Sequence, residues 1–271
     1  SAPKAEVKTA LEDLLETHAN TAPLDGHVAF VGAGPGDPEL LTLKARKALH
    51  EADVVIYDRL VSAPVLELCR REALMVSVGK EGFGPSTPQE EINASLVEHA
   101  LNGAQIVRLK GGDPTVFGRL DEEIEALEPH GISYTVVPGV TAASASVAAI
   151  GQSLTKRGRN NAVRLLTAHA MRGFAEQDWQ ALAQKDEVSA VYMGKKAARF
   201  VQGRLLMHGA DPATPVTVVE NASRPDQRIL TTSLAHLSAD ISAAAPEGAA
   251  LILLGLAPRE AALTSLKEAA L

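Results

Sequence analysis

The feature that most constrains the fold is an apolar run that breaks into alternating glycines and then becomes a helical pattern, "VAFVGAGPGDPELLTLKARKAL" at residues 28–49. Units of strand, turn and helix build α/β folds. A dinucleotide-binding turn requires G-x-G-x-x-G, but the glycines here are Gly32, Gly34 and Gly36, so the third comes one residue early. Asp58 ends the next apolar run, where dinucleotide folds carry a ribose-binding acid. The triplet alone leaves a dinucleotide loop, a tight turn and another ligand loop open.

The pattern of the opening unit repeats along the first half of the chain. Short apolar runs alternate with helical patterns up to about residue 150, which predicts a mainly parallel sheet with helices on its faces. In the second half, strand-like runs lie closer together, with one long helix near residues 196–209, which predicts a mixed sheet. We therefore predict an α/β fold with an N-terminal amphipathic helical extension (1–26), a first domain (27–153), a second domain (154–258) and a C-terminal tail (259–271).

Composition and charge exclude several classes of protein. No apolar run approaches the roughly 20 residues of a membrane helix, and residues 1–27 are charged throughout, unlike a signal peptide, so we expect a cytoplasmic protein with no membrane partner. The net charge of −7 argues against nonspecific nucleic-acid binding. The single cysteine, Cys69, excludes an internal disulfide and a Cys-based zinc site. We expect it at a buried position of a helix near residues 65–71.

Three further loops follow predicted strands, where open α/β sheets bind ligands. They are "VRLKGGDPTVFGR" at 107–119, "VVPGVTAASA" at 136–145 and "VYMGKK" at 191–196. Gly111 and Gly112 allow the backbone to approach a ligand closely, and Asp113 with Pro114 predicts a turn into the next helix. Thr141 is expected to be the N-cap of a helix whose first N–H groups stay available.

Together with "YDRLVS", "VGK" and "ENAS", these loops resemble, in order and over about residues 27–257, the tetrapyrrole (precorrin-type) methyltransferase family. The resemblance implies two α/β domains with a cleft between them, the class III methyltransferase fold, in a homodimer. It also implies S-adenosylmethionine as methyl donor, S-adenosylhomocysteine as product and no metal. The run "RLKGGDP.VFGR" favours the first methylations of the pathway, in which uroporphyrinogen III is methylated at C2 and C7, via precorrin-1, to precorrin-2.

The motifs of the family assign donor-binding residues in both domains. Those expected to bind the donor are Pro35, Gly111, Gly112, Asp113, Val116, Thr141, Ala142, Met193, Asn221 and Ala222. For Met193, the alternative of a core methionine remains open.

Three residues are candidates for catalysis. Asp58 is the first candidate to orient the pyrrole N–H groups or to accept a proton, with a capping role in its turn as the alternative. Arg119 and Glu122 are three residues apart on a predicted helix, so they lie on one face and either can serve in deprotonation. The sequence does not rank the two.

The eight carboxylates of the implied substrate call for basic partners in an acidic protein. The residues expected to bind the substrate are Arg59, Lys80, Arg119, Lys156 and Arg157, together with Met193. For each basic residue, a solvated surface charge is the alternative. Arg108 and Lys110 are weaker candidates, because strand alternation along "IVRLKGG" can simply place both on a solvated face.

The sequence departs from the family pattern on the substrate side, at Thr115, Leu120, Asp121 and Lys156. Other functions therefore stay open: a methyltransferase acting on another precorrin or on a non-tetrapyrrole, a noncatalytic binding protein, and an NAD-dependent oxidoreductase. We expect no fused dehydrogenase and ferrochelatase module before residue 27. The sequence does not distinguish whether the product feeds sirohaem, cobalamin or haem d1.

Overall fold

The computed structural model describes residues 25–79, 87–170 and 173–260. Within these ranges, the strands form two five-stranded sheets, and the predicted architecture of two α/β domains is confirmed. The first sheet contains β1 His27–Gly32, β2 Val54–Tyr57, β3 Leu74–Ser77, β4 Gln105–Lys110 and β5 Ser133–Val137. The second contains β6 Arg164–Thr167, β7 Ser189–Tyr192, β8 Pro215–Glu220, β9 Arg228–Ser233 and β10 Ala250–Leu254. The predicted N-terminal helix lies outside the described residues.

Helices connect most of these strands. In the first half they are α1 Leu43–Glu51, α2 Ala63–Leu66, α3 Gln89–Leu101, α4 Leu120–Leu127 and α5 Ala142–Ala149. In the second half they are α6 Trp179–Leu182, α7 Ala198–Met207 and α8 Leu237–Ala244. Short 3₁₀ turns at Pro38–Leu40 and Glu128–His130 precede α1 and follow α4.

The first sheet is parallel throughout, with strand order β3-β2-β4-β1-β5. Its three central strands, β1, β2 and β4, are almost entirely buried because both faces are covered there, whereas the edge strands β3 and β5 are largely exposed. Val28 and Phe30 pack under α3 and α4, while Ala29 and Val31 pack on the face that carries α1. The carboxyl ends of the strands share one edge, so the loops that follow β1, β2, β4 and β5 meet there.

The second sheet is mixed, with strand order β6-β7-β10-β8-β9. Only β6 and β7 pair in parallel, and the other neighbours are antiparallel. One face packs against α6, α7 and α8 through residues that include Trp179, Val201 and Leu237. The other face packs against α5, through Ala143, Val147 and others. Helix α5 therefore carries the chain from the end of the first sheet directly onto the second.

Two helical predictions are wrong. The helix expected near residues 65–71 is the single turn Ala63–Leu66, and the chain then bends, so that half-buried Cys69 lies in the bend. The second half contains α8 in addition to the long helix α7. Its Leu237 and Ile241, four residues apart, are both buried, which is the spacing of one helical face.

Candidate active site

Glycine residues build the floor of the candidate site, where the loops after β1, β4 and β5 meet. Gly34 and Gly112 exchange two main-chain hydrogen bonds, of 3.1 and 2.7 Å. A Cβ atom on Gly139 would lie 2.3 Å from the Gly112 carbonyl oxygen, and one on Gly32 would lie 2.6 Å from Gly139 Cα. Side chains at these positions would push the loops apart, so close approach of backbone explains the glycines.

Gly112 differs from Gly32 and Gly139. Its φ of +73° favours glycine, yet a Cβ atom there would meet no atom closer than the main chain of Thr141 and Ala142 at 4.0 Å. The backbone thus borders open space beside the N-terminus of α5. Gly111 has another role, since a Cβ atom on it would lie 2.6 Å from Leu60 Cβ in the turn after β2.

The carboxylate of Asp113 holds the loop after β4 in shape. Its Oδ1 accepts hydrogen bonds from the Thr115 main-chain nitrogen at 2.8 Å and from the Thr115 hydroxyl at 2.6 Å. Its Oδ2 accepts one from the main-chain nitrogen of Gly139 at 3.2 Å. Thr115, where the family pattern has an aromatic residue, therefore supports the same carboxylate. Half-buried Val116 follows in this turn, and its nitrogen donates to the Asp113 carbonyl at 3.1 Å.

Asp58 lies at the carboxyl end of β2, at the same edge of the sheet. Its Oδ1 accepts a hydrogen bond from the main-chain nitrogen of Leu60 at 2.8 Å, so it does close its own turn. The side chain is only partly buried, which leaves its second oxygen to act elsewhere. The neighbouring Arg59 is exposed.

Arg119 and Glu122 form a bidentate pair at the start of α4. The Arg119 Nε and Nη2 atoms donate to the two Glu122 carboxylate oxygens at 2.8 and 2.6 Å. This guanidinium lowers the pKa of Glu122 below its usual value. Arg119 has a φ of +55°, and both side chains are about half exposed, at 56% and 51%. Both groups are therefore accessible to a ligand.

The alternative of a solvated face for Arg108 and Lys110, the weaker substrate candidates, is wrong. Alternation does put them on one face of β4, but α3 and α4 cover that face, and the two residues are only 3% and 5% exposed. Both cations pair with fully buried Glu123, whose carboxylate accepts from Arg108 Nε at 3.0 Å and from Lys110 Nζ at 2.7 Å. Burial and the neighbouring Arg108 lower the pKa of Lys110, although Glu123 opposes that shift.

Tyr192 ends β7 and contacts the start of α5, and the exposed Met193 follows it. The Tyr192 hydroxyl lies 2.5 Å from Thr141 Oγ1 and accepts from the main-chain nitrogen of Ala143 at 3.2 Å. Thr141 is the N-cap residue, as expected, but its hydroxyl bonds Tyr192 instead of capping α5. Met193 is 49% exposed and has a φ of +54°, which excludes the alternative of a core methionine.

Asn221 and Ala222 follow β8. The Asn221 amide nitrogen donates to Asp226 at 2.7 Å, whereas its buried Oδ1 has no hydrogen-bond partner within the described part of the chain. Ala222 is 8% exposed and belongs to the apolar cluster under α5. Both residues thus lie at the rim of the second sheet, with most of their surface inside the protein.

The remaining basic candidates are less closely tied to the loops of the site. Lys156 and Arg157 are exposed in a loop in which Asn160 Oδ1 accepts a hydrogen bond from the Lys156 nitrogen at 3.2 Å. Lys80 lies outside the described residues. Among the described residues, no group of three or more His, Cys, Asp or Glu side chains is arranged to hold a metal ion. In the same ranges, no helix is long and apolar enough to cross a membrane.

Sequence reasoning missed three residues near the site. Tyr192 carries its bridging hydroxyl immediately before Met193. Ser223, the last residue of "ENAS", and Arg224, the residue after it, contact the first domain as described below. The sequence signal that could have identified them is a polar or aromatic residue in or next to each motif. Nothing in the spacing indicated that their partners lie more than 50 residues away in sequence.

The fold and the loops define a two-domain α/β protein whose candidate site lies at the carboxyl edge of the first sheet, and comparison with known proteins gives its family. Residues 27–238 match the model of the tetrapyrrole (corrin/porphyrin) methylases. The chain belongs to this family, and the resemblance inferred from its motifs is confirmed.

Two curated relatives are siroheme synthases. That of Thiobacillus denitrificans is 41% identical over 251 residues, covering 93% of this chain and 52% of the relative. That of Acinetobacter baylyi is 48% identical over 222 residues, covering 82% and 48%. The chain thus spans about half the length of the curated relatives it matches.

Solved structures match over almost their full length. The uroporphyrin-III C-methyl transferase of Thermus thermophilus, in complex with S-adenosyl homocysteine, is 41% identical with a TM-score of 0.70. The match covers 85% of this chain and 97% of that one. The cobalt precorrin-4 methyltransferase CbiF is 29% identical with a TM-score of 0.75, covering 84% and 94%.

Proposed function

We propose that this chain is an S-adenosylmethionine-dependent methyltransferase that methylates uroporphyrinogen III at C2 and C7, via precorrin-1, to precorrin-2. The observation that carries the proposal is the glycine-built cleft, in which open space beside Gly112 lies at the same sheet edge as Asp58 and the Arg119–Glu122 pair. The Thermus thermophilus structure named for this activity supports it, because it aligns along 97% of its length.

The residues present fit S-adenosylmethionine. A Cβ atom at Gly112 would project into the open space, and the first turn of α5 borders the same space with small side chains. Bound donor would supply an electrophilic methyl group and leave as S-adenosylhomocysteine. The residues proposed to hold it are Pro35, Gly111, Gly112, Asp113, Val116, Thr141, Ala142, Met193, Asn221 and Ala222. For Asp113 and Ala222 the contacts above favour an indirect role, in shaping the loops.

The acceptor chemistry falls to the polar residues of the first domain. Methylation at a pyrrole carbon requires that a proton later leave the ring system, so a base must lie near it. Asp58 is proposed to orient the pyrrole N–H groups or accept that proton with the oxygen that Leu60 does not use. The ion pair keeps Glu122 ionised, so it too is available as a base, while Arg119 supplies positive charge.

The basic residues are proposed to bind the substrate carboxylates. Arg59 and Arg119 lie at the sheet edge, and Lys156 and Arg157 lie in the exposed loop before the second sheet. Lys80, outside the described residues, belongs to the same proposal, and exposed Met193 would offer an apolar surface to the macrocycle.

The wider organisation is also proposed. We infer an N-terminal extension over 1–26, domains over 27–153 and 154–258 and a tail over 259–271, with α5 as the helix that joins the domains. A homodimer in the cytoplasm is the assembly and location that we propose. The names of the relatives favour sirohaem formation as one use of the product.

The test is an anaerobic assay of the purified chain with uroporphyrinogen III and methyl-labelled S-adenosylmethionine, followed by mass spectrometry of the tetrapyrrole. We expect two labelled methyl groups. One methyl group would indicate a block at the second transfer. No label, with S-adenosylhomocysteine still bound in calorimetry, would refute the proposed acceptor and direct the assay to other precorrins. Binding of NADH in place of S-adenosylhomocysteine would instead favour the oxidoreductase.

A further inference from the structure

The segment after β8 holds an unusual backbone conformation beside the cleft. Asn221 and Ser223 have φ values of +49° and +68°, although neither is glycine. Local hydrogen bonds hold this shape: the Arg224 nitrogen donates to the Asn221 carbonyl at 3.0 Å, and the Ser223 nitrogen donates to Gln227 Oε1 at 2.8 Å. A backbone this constrained presents its side chains in one direction, and strained positions of this kind cluster at functional sites.

From this segment, Arg224 and Ser223 reach two loops of the first domain. Arg224 Nη2 donates to the Leu60 carbonyl at 2.5 Å, in the turn that starts with Asp58, and Nε donates to the Pro35 carbonyl at 3.4 Å. Ser223 Oγ accepts from the Asp37 nitrogen at 3.1 Å. One guanidinium therefore bridges the glycine loop after β1 and the turn after β2.

The glycine loop is shaped to admit the Arg224 side chain. A Cβ atom on Gly36 would lie 2.5 Å from Arg224 Cγ and 2.6 Å from its Nε, and Gly36 has a φ of +145°. The third glycine of the opening motif comes one residue early for a dinucleotide turn. Its lack of a side chain leaves the space that the Arg224 side chain occupies. Ser62 Oγ donates to the Gly36 carbonyl at 2.5 Å, which joins the same two loops a second time.

We propose that Arg224 is a positioning residue that fixes the Pro35–Asp37 loop and the Asp58–Ser62 turn in one relative geometry. The inference rests on the proposed function, in which the first loop holds the methyl donor and the second carries the acid or orienting group. Both acceptors are main-chain carbonyls, and two separate N–H groups of a planar fork reach them. A lysine, with a single point of charge, does not reproduce this bridge.

The experiment compares Arg224→Ala, Arg224→Lys and the matched control Arg199→Ala, which removes an exposed guanidinium from α7. Turnover, KM, affinity for S-adenosylhomocysteine and thermal midpoint are measured for each, with and without millimolar guanidinium chloride. For Arg224→Ala we expect kcat to fall about a hundredfold, as for a misplaced catalytic loop, donor affinity to fall less, and guanidinium to restore part of both. Arg224→Lys stays impaired, and Arg199→Ala behaves as wild type.

Several outcomes would overturn the positioning role. Unchanged kcat in Arg224→Ala would do so, and so would a loss that guanidinium does not restore and that merely follows a lowered thermal midpoint. If the wild-type chain does not methylate uroporphyrinogen III, the proposed function fails by itself. In that case the affinity for S-adenosylhomocysteine alone tests the positioning role of Arg224. A lower affinity in Arg224→Ala that guanidinium restores supports the bridge, and an unchanged affinity refutes it.

Discussion

The two domains contribute different things to the cleft. The parallel sheet ends in loops that carry ionisable side chains, among them Asp58, Arg119 and Glu122. The mixed sheet contributes Met193, Asn221 and Ser223, three non-glycine residues with positive φ. The acid–base chemistry proposed above is thus assigned to the first domain, and a shaping role to the second, although positive φ values also occur in the first domain, at Phe117 and Arg119. We infer that catalytic variants cluster on one side of the cleft and geometric variants on the other.

Two groups of charges away from the site, one in each domain, also differ in burial. In the first domain, Arg108, Lys110 and Glu123 are buried together below the loop that carries Gly112. In the second domain, the Arg164–Glu187 pair lies at the surface, with the Arg164 side chain 42% exposed. Buried ions depend on one another, because removal of one leaves the rest without compensation in a medium of low dielectric constant.

The largest expected effect tests this contrast in stability. Glu123→Gln keeps the shape of the side chain but leaves two buried cations unbalanced, so we expect a loss of about 3–5 kcal/mol in the free energy of unfolding. Glu187→Gln, the matched change in the second domain, is expected to cost at most about 1 kcal/mol, because solvent screens its partner. Urea denaturation measures both, and equal losses would contradict the contrast.

The second prediction concerns the space beside Gly112. Valine at this φ of +73° is strained by about 1–2 kcal/mol, and its side chain would fill the proposed donor space, so binding of S-adenosylhomocysteine should be lost. Gly209→Val is the control, since Gly209 has a φ of +85° with nothing within 4 Å and lies after α7, in the second domain. We expect the two variants to lose similar stability. If calorimetry shows that Gly112→Val binds S-adenosylhomocysteine as tightly as wild type, the loop after β4 has only a structural role.

The third prediction separates the two roles of Asp58. Asparagine can still accept the hydrogen bond from the Leu60 nitrogen, but it carries no basic carboxylate. We expect Asp58→Asn and Asp58→Ala both to lower kcat by about a hundredfold, with affinity for S-adenosylhomocysteine within a few-fold of wild type. If only the alanine variant is impaired in steady-state assays, turnover depends on the hydrogen bond that closes the turn and not on the basic carboxylate.

The sequence predicts much of the first domain and less of what crosses between domains. Apolar runs and glycine turns are local signals, and they correctly indicate the parallel sheet and its loops. Alternation along β4 correctly puts Arg108 and Lys110 on one face, but it does not reveal that helices cover this face or that Glu123 lies between them. The charge of Arg108 and Lys110 therefore does not indicate that their side chains are exposed.

Contacts over long sequence separation were beyond local reasoning. The Arg224 bridge spans 164 residues to Leu60 and 189 to Pro35, and no spacing rule connects them. The position of Gly36 was the one sequence signal of this bridge. A glycine that does not fit the spacing of a dinucleotide turn indicates that another group packs closely against it. The roles of individual site residues stay predictions, because they depend on bound molecules.

The smallest effect uses Cys69 as a reporter of the first domain alone. The chain has one cysteine, and burial raises the pKa of its thiol from 9.0 to about 11. The unfolded chain ionises first, so the contribution of this thiol to the free energy of unfolding is complete below about pH 9. That contribution declines as the pH rises towards about 11.

Because the thiolate is the reactive form, alkylation by iodoacetamide should be slow at neutral pH and should still accelerate above pH 9.0. Glu123→Gln should speed this reaction by favouring local opening of the first domain, whereas Glu187→Gln should leave it unchanged. Mass spectrometry of timed samples gives the rates. Equal acceleration in both variants would mean that the two domains open together. The domains would then differ in their proposed catalytic roles but not in their stability.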